Sequence, residues 1–138
     1  MWFYYALLSA LFAAFTAIFA KMGVSSINSN LATGIRTIII LVVVWSIVFI
    51  KGEVKDIGSI SKMNLIFLIL SGVATGLSWL FYFKALQIGK VSQVASVDKL
   101  SVAIAIILSV LFFKETLTLK TAIGALLIIS GTIVFAMK

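Results

Sequence analysis

Five apolar stretches, each about twenty residues long, follow one another along the chain with short polar segments between them. They run over residues 2–20, 31–50, 63–83, 91–113 and 119–137. At a rise of ~1.5 Å per residue, about twenty helical residues cover the ~30 Å hydrocarbon core of a bilayer. The pattern therefore predicts an all-α, polytopic membrane protein with five transmembrane helices.

Composition and loop lengths support one membrane-embedded unit. Hydrophobic residues make up 63% of the 138 residues and charged residues 11%, which no ordinary soluble domain carries. The longest connection, residues 51–62, is a polar surface loop with no room for a second domain. We therefore expect residues 1–138 to form a single five-helix domain, multi-pass in the cell membrane, with the first span retained rather than cleaved.

The residue types that are missing narrow the chemistry. The chain has no cysteine and no histidine, which removes thiol catalysis and the commonest metal ligands. It shows no recognisable set of nucleophile, base and orienting group, so we expect no enzymatic activity, no metal and no cofactor. The net charge of +7 comes mainly from the ends of spans, where basic side chains meet lipid headgroups. Membrane lipids are thus the expected partners, and nucleic acid is not.

Basic residues are divided almost evenly between the two sides of the predicted membrane domain. The amino-terminal side has five, and the carboxyl-terminal side has six: Lys51, Lys55, Lys62, Lys114 and Lys120 against Lys21, Arg36, Lys84, Lys90, Lys99 and Lys138. The positive-inside rule needs a clear excess on one side to fix orientation. The count predicts insertion both ways and an inverted (antiparallel) dimer, an arrangement of repeats used by many secondary transporters. A single orientation set by the first helix is the alternative.

Among the charged residues within the predicted spans, Arg36, Asp98 and Lys99 are the candidates for function. Charges in lipid are costly and tend to mark a transport pathway or a specific ion pair. For Arg36 and Lys99 the alternative is snorkelling to headgroups, whereas a short carboxylate snorkels poorly. Asp98, the one acid within a span, is therefore a possible proton carrier. Neighbours in a helix point about 100° apart, so we expect Asp98 to pair with Arg36 or Lys21 rather than with Lys99.

The third span gathers polar and aromatic side chains on or near one side. Ser71, Thr75 and Ser78 precede Trp79 and Tyr82. Hydroxyl groups beside aromatic surfaces are suited to an amphipathic or aromatic solute. We therefore place Trp79 and Tyr82 in the candidate substrate pathway, with an interfacial aromatic belt as the alternative interpretation.

Four glycines are candidates for dimer or helix packing. Gly72 and Gly76 form a GxxxG motif in the third span, and Gly124 and Gly131 are seven residues apart in the fifth. Small residues at these spacings allow helix backbones to approach closely. General packing within the bundle explains them equally well.

Several local motifs together resemble a known family. They are Ile18-Phe19-Ala20-Lys21-Met22-Gly23 with Arg36 opening the second helix, the run 82–86, the run 89–92, and residues 108–118 followed by 124–131. This combination, which covers nearly the whole chain, resembles the EamA-type domain of the drug/metabolite transporter superfamily. The chain departs from many members near Val102, where it lacks their fourth-helix proline, so a proline-based bend is not expected.

The resemblance implies a function and an assembly. Typical members carry two such five-helix units in inverted orientation, so a single unit implies an antiparallel homodimer or a heterodimer with a paralogue. It also implies a secondary transporter that moves a small organic solute or metabolite by alternating access. Arg36, Trp79, Tyr82, Asp98 and Lys99 are the expected pathway residues, and the basic bias favours an anionic or zwitterionic solute.

Two other functions remain open at this stage. A lipid-linked-sugar flippase subunit would use Lys21, Arg36 and Lys99 to hold a phosphate headgroup near one leaflet. A nontransporting membrane partner subunit would use the glycine faces for assembly alone.

Overall fold

The computed structural model describes residues 1–137, and the regular secondary structure of that range is entirely helical. The helices are α1 (Trp2–Val24), α2 (Ser29–Ile50), a 3-10 helix (Glu53–Ser59), α3 (Lys62–Ile88), α4 (Val91–Asp98), α5 (Leu100–Phe113) and α6 (Leu119–Ala136). Five helical segments are long and apolar enough to cross a membrane, with α4 and α5 together forming the fourth. The predicted all-α fold with five spans is confirmed.

Local side-chain chemistry explains where several of these helices begin and end. The Asn28 side-chain oxygen accepts hydrogen bonds from the Asn30 and Leu31 backbone N–H groups at 2.8 and 3.4 Å, which satisfies free donors at the start of α2. The Thr118 hydroxyl caps α6 in the same way. After α2, Gly52 takes a φ of 68°, a left-handed conformation that glycine adopts without steric cost.

The chain folds as two compact units. Unit 1 comprises residues 1–19 and the chain from Ile88 onward, and unit 2 comprises Ala20–Gln87. Unit 2 therefore holds α2, almost all of α3 and the last turn of α1. Whether the whole chain behaves as one domain stays a prediction.

In unit 1 the fourth span is interrupted at Lys99, between α4 and α5, both of which pack against α6. The Lys99 N–H donates to the Ser96 carbonyl at 3.1 Å, and the Val102 N–H donates to the Lys99 carbonyl at 3.0 Å. Both bonds span three residues, the spacing of a 3-10 turn rather than of an α-helix. The span therefore tightens locally although the sequence contains no proline.

A hydroxyl group from α6 stabilises this interruption. The Thr132 hydroxyl, on a residue only 5% exposed, donates to the Ser96 carbonyl at 3.0 Å. In a continuous α-helix that carbonyl would accept from the N–H of Leu100. Thr132 thus supplies a second hydrogen bond to the Ser96 carbonyl next to the irregular turn.

We expect Thr132→Val to lower the free energy of unfolding by about 1 kcal/mol, since valine matches the shape of threonine but cannot donate. The measurement is the melting temperature of the purified protein in detergent, followed by circular dichroism. Ser130→Ala is the matched control, because the Ser130 hydroxyl is exposed and bonds only to Leu126 within α6. Equal shifts in both variants would show that Thr132 has no special role at the interruption.

The buried residues of unit 2 cluster at the end where α1 finishes, α2 begins and α3 finishes. Val24 and Leu86 are fully buried there, and Phe83 is 2% exposed. Residues 38–45 of α2, in contrast, are exposed on every side of the helix. In a membrane such apolar surface faces lipid tails or another protein. We call the buried region the packed end of unit 2.

Candidate functional site

Arg36 lies in the second turn of α2, within a predicted span. Its guanidinium carbon is 3.4 Å from the centre of the Trp79 ring on α3 and 5.6 Å from the centre of the Phe83 ring. A separation of 3.4 Å is close to the contact distance of two atoms, so the planar guanidinium must lie nearly flat on the indole. A cation–π contact of this kind contributes roughly 0.5 to 2 kcal/mol.

The aromatic partners of Arg36 come from one face of α3. The Trp79 ring contacts the Tyr82 ring edge-on at 5.6 Å between centres, and the Phe83 ring at 5.8 Å. Residues three and four apart are neighbours on a helix surface, which brings these rings together. Arg36, Trp79, Tyr82 and Phe83 form what we call the Arg36 cluster. Phe83 was not among the residues expected from sequence, although its position four residues after Trp79 indicates the same face.

Two side chains, those of Lys21 and Gln87, link the end of α3 to the end of α1 and to the segment that follows α1. Lys21 Nζ on α1 donates to the Leu86 carbonyl of α3 at 2.6 Å. Gln87 Nε2 on α3 donates in return to the Val24 and Ile27 carbonyls, at 3.3 and 2.9 Å. Carbonyls at the end of a helix have no partner within it, so these bonds satisfy groups that would otherwise be costly in an apolar environment. Gln87 was also missed from sequence.

Asp98 and Lys99 flank the interruption of the fourth span in unit 1. Asp98 Oδ2 lies 3.8 Å from Lys99 Nζ, and the two side chains are 41% and 58% exposed. The expectation that these neighbours could not pair was wrong. The helix stops at Asp98, and the four-carbon stem of Lys99 is long and flexible enough to bring its ammonium group back.

No carboxylate within the described part of unit 2 pairs with Arg36. The acids of that unit are Glu53, which lies 3.9 Å from Lys51, and Asp56, both in the 3-10 helix beyond the far end of α2. From Arg36 to Ile50 alone the helical rise amounts to about 21 Å. Among residues 1–137 there is also no group of acidic, histidine or cysteine side chains that could hold a metal ion. Arg36 thus presents a charge in a span without a counter-charge from its own unit.

Comparison with known proteins identifies the family. The model of the EamA-like transporter family matches residues 1–137. The chain belongs to the EamA-like transporter family. The resemblance noted from the sequence motifs is therefore confirmed, and this family member matches over its full described length.

This EamA-like chain is also similar to two individual proteins. It is 47% identical over 135 residues to an uncharacterized transporter in the cobO 3′ region of Sinorhizobium sp, covering 98% of this chain and 96% of the relative. It is 38% identical over 84 residues to the uncharacterized protein MJ1333.1 of Methanocaldococcus jannaschii, covering 61% of each. No solved structure matches the chain.

Proposed function

We propose that this EamA-like chain is the protomer of a secondary transporter that moves a small organic solute or metabolite across the cell membrane by alternating access. Family membership and the transporter name of the Sinorhizobium relative support the class. The observation that carries the proposal is Arg36, a cation within an apolar span that lies on an aromatic surface and has no ion pair in its unit. Charges placed in this way commonly line substrate or ion pathways.

Each unit contains candidate pathway residues. Unit 2 contributes Arg36, Trp79 and Tyr82. Unit 1 contains Asp98 and Lys99 at the tightened turn of the fourth span. Asp98 is the candidate proton carrier, because its carboxylate is partly exposed and protonation would release its ion pair with Lys99.

The proposed assembly is an antiparallel homodimer. A single five-helix unit has no inverted repeat of its own, and the near-equal numbers of basic residues on the two sides favour insertion both ways. Two copies of opposite orientation would supply the symmetry that alternating access uses. A heterodimer with a paralogue of fixed orientation is the second arrangement.

The proposal is tested with purified protein in proteoliposomes. Vesicles are incubated with a mixture of small metabolites, and their contents are analysed by mass spectrometry against protein-free vesicles. We expect selective enrichment of one solute class, faster with an imposed pH gradient if a proton is coupled to transport. Vesicles that contain folded dimers yet enrich no solute would contradict the transporter proposal and favour a nontransporting subunit.

We expect Asp98→Asn and Lys99→Gln each to reduce the rate of solute uptake by about tenfold without reducing dimer yield. This corresponds to a rise of about 1.4 kcal/mol in the activation free energy of the rate-limiting step. Asp98→Asn should also abolish the dependence of uptake on the pH gradient. Lys90→Gln serves as the control, since Lys90 is an exposed basic residue just before α4. A parallel loss of uptake and yield would mean that the ion pair is only structural.

A further inference from the structure

We infer that the Arg36 cluster binds an oxyanion, a carboxylate or a phosphate, on the edge of the Arg36 guanidinium. This inference rests on the proposed transporter function and names the chemical class of its ligand. It predicts an amphipathic anion whose charged group meets Arg36 and whose apolar part lies against the aromatic rings of Trp79 and Tyr82.

The electrostatic argument begins with the fixed charge of arginine. A guanidinium group cannot lose its proton in a protein, so Arg36 cannot escape the cost of an apolar environment by becoming neutral. The chain has four acidic residues in all. Glu53 and Asp98 each have a lysine within 4 Å, and Asp56 and Glu115 lie in segments between spans. A mobile anion from outside the chain is the natural counter-charge.

The surroundings of Arg36 strengthen this preference for an anion. The packed end of unit 2 is formed by residues 20–36 and 76–87, which include Lys21, Arg36 and Lys84 and no acidic residue. Lys21 bonds to a backbone carbonyl, which adds no negative charge of its own. A cationic ligand at Arg36 would therefore meet a like charge with no carboxylate in this region to offset it, whereas an anion would be attracted to Arg36.

Geometry indicates how the anion would bind. The guanidinium carbon of Arg36 lies 3.4 Å over the Trp79 ring, and a guanidinium stacks on an aromatic face with its plane parallel to the ring. The N–H donors of a guanidinium lie in that plane, so stacking on a ring leaves them available along the edge. None of them has a hydrogen-bond partner among the described residues. Two parallel donors on one edge match the two oxygens of a carboxylate or phosphate, which is the strongest form of hydrogen bonding available to arginine.

Trp79 itself provides the reporter for a binding experiment. The protein has three tryptophans, so Trp2→Phe combined with Trp45→Phe leaves Trp79 as the single tryptophan, whose fluorescence is excited selectively over that of tyrosine. This variant is placed in nanodiscs of neutral phosphatidylcholine and titrated with benzoate, benzamide and benzylamine, which share a ring and differ in charge. We expect saturable quenching or a spectral shift with benzoate and at least tenfold weaker responses with the neutral and cationic probes.

Two substitutions separate recognition by Arg36 from general charge effects. Arg36→Gln should weaken benzoate binding by about tenfold or more, and Arg36→Lys should weaken it less, since lysine keeps the charge but loses the two-donor edge. Lys84→Gln is the matched control, because Lys84 is an exposed basic residue directly after Phe83 in α3 and lies about 140° around the helix from Trp79. We expect less than about a twofold change for this control. Equal effects of Arg36→Gln and Lys84→Gln would overturn the site.

The oxyanion could come from a soluble molecule or from a lipid headgroup, and the same protein distinguishes them. Benzoate binding in neutral nanodiscs supports a soluble anion. A Trp79 response to added phosphatidylglycerol that depends on Arg36, without a benzoate response, supports a headgroup phosphate and the flippase alternative. The absence of both responses in folded protein overturns the inference.

Flux measurements keep this inference separate from the transporter proposal. Arg36-dependent benzoate binding without flux of any solute would support the anion site and contradict transport. Flux of a cationic or neutral solute that persists in Arg36→Gln, with no anion binding, would overturn the anion site and leave the transporter proposal intact.

Discussion

Two variants biased toward opposite orientations will each lose transport when expressed alone and recover it when expressed together. In the first, Lys51→Gln and Lys55→Gln reduce the amino-terminal side from five basic residues to three, against six. In the second, Gly58→Lys raises that side to six, and Lys84→Gln with Lys90→Gln reduces the carboxyl-terminal side to four. Differences of two or three basic residues near span ends are enough to set orientation.

All five positions suit this experiment because their changes should not disturb the fold. Their side chains are exposed, and a Cβ atom at Gly58 would meet no neighbour within 4 Å. The side chains of Lys51 and Glu53, which form an ion pair, are 62% and 51% exposed, so loss of the pair has little effect on stability. The variants therefore change orientation and leave the protomer intact.

The expected result is close to all-or-none. A protomer confined to one orientation cannot form an inverted pair, so each variant alone should show less than about a tenth of normal uptake. Co-expression should restore most of it. Orientation is checked with a carboxyl-terminal reporter pair that signals from each side, and the unmodified protein should give both signals. Full activity of either variant alone would contradict the antiparallel homodimer, and one-sided signal from the unmodified protein would favour an oppositely oriented paralogue.

The five spans could be predicted from sequence because the bilayer imposes a simple requirement. Each crossing needs about twenty apolar residues in a helix, and no competing structure satisfies the backbone in lipid. The helices extend a few residues past the apolar stretches, as α1 does to Val24 and α3 to Ile88. Those extra turns contain Lys21 and Gln87. The Lys21 side chain bonds to the end of α3, and the Gln87 side chain bonds to the end of α1. Hydropathy shows where the apolar stretch stops, not where tertiary hydrogen bonds extend the helix.

The interruption at Lys99 could not be predicted from the apolar pattern. Residues 91–113 read as one continuous span, and neither proline nor glycine marks a break there. The irregular turn depends on a partner 36 residues away, the Thr132 hydroxyl that bonds to the Ser96 carbonyl. A single sequence shows that Ser96 and Thr132 are polar residues within spans, but not that they meet.

The Arg36 cluster could be predicted from the sequence only in part. The sequence indicated that Arg36, Trp79 and Tyr82 belong to spans and that the two aromatic residues share a helix face. It could not indicate that α2 brings Arg36 within 3.4 Å of the Trp79 ring, because that depends on how two helices pack. Charge and periodicity thus predict candidate residues, and the tertiary contact is what distinguishes an aromatic-stacked arginine from one that reaches for headgroups.

The second large effect is expected at the GxxxG motif of α3. Gly76, Trp79 and Phe83 follow Gly72 by four, seven and eleven residues. At these spacings all four residues lie on the same face of α3. Arg36 of α2 contacts this face at Trp79 and Phe83. At Gly72 and Gly76 an added Cβ would meet no described atom of its own unit within 4 Å. The close-packing surface is therefore open in the protomer.

We expect Gly72→Leu combined with Gly76→Leu to weaken dimerisation by about tenfold or more, because leucine prevents the close backbone approach that a GxxxG face permits. The measurement is energy transfer between labelled protomers in liposomes over a range of protein-to-lipid ratios. Ala74→Leu is the matched control, since Ala74 is exposed and lies on the opposite side of α3 from Gly72 and Gly76. Melting temperatures should be similar in all three proteins, because a Cβ atom at either glycine meets no neighbour within 4 Å.

The outcome also bears on the binding site. If a second copy packs against Gly72 and Gly76, it lies one to two helical turns from Trp79 along the same face of α3, so dimer formation would enclose the Arg36 cluster. The double variant should then lose uptake together with dimerisation, while isolated protomers retain weak benzoate binding through Arg36. Unchanged dimerisation would contradict this interface. Dissociation by Gly124→Leu with Gly131→Leu instead would place the interface on α6 and leave the Arg36 cluster away from it.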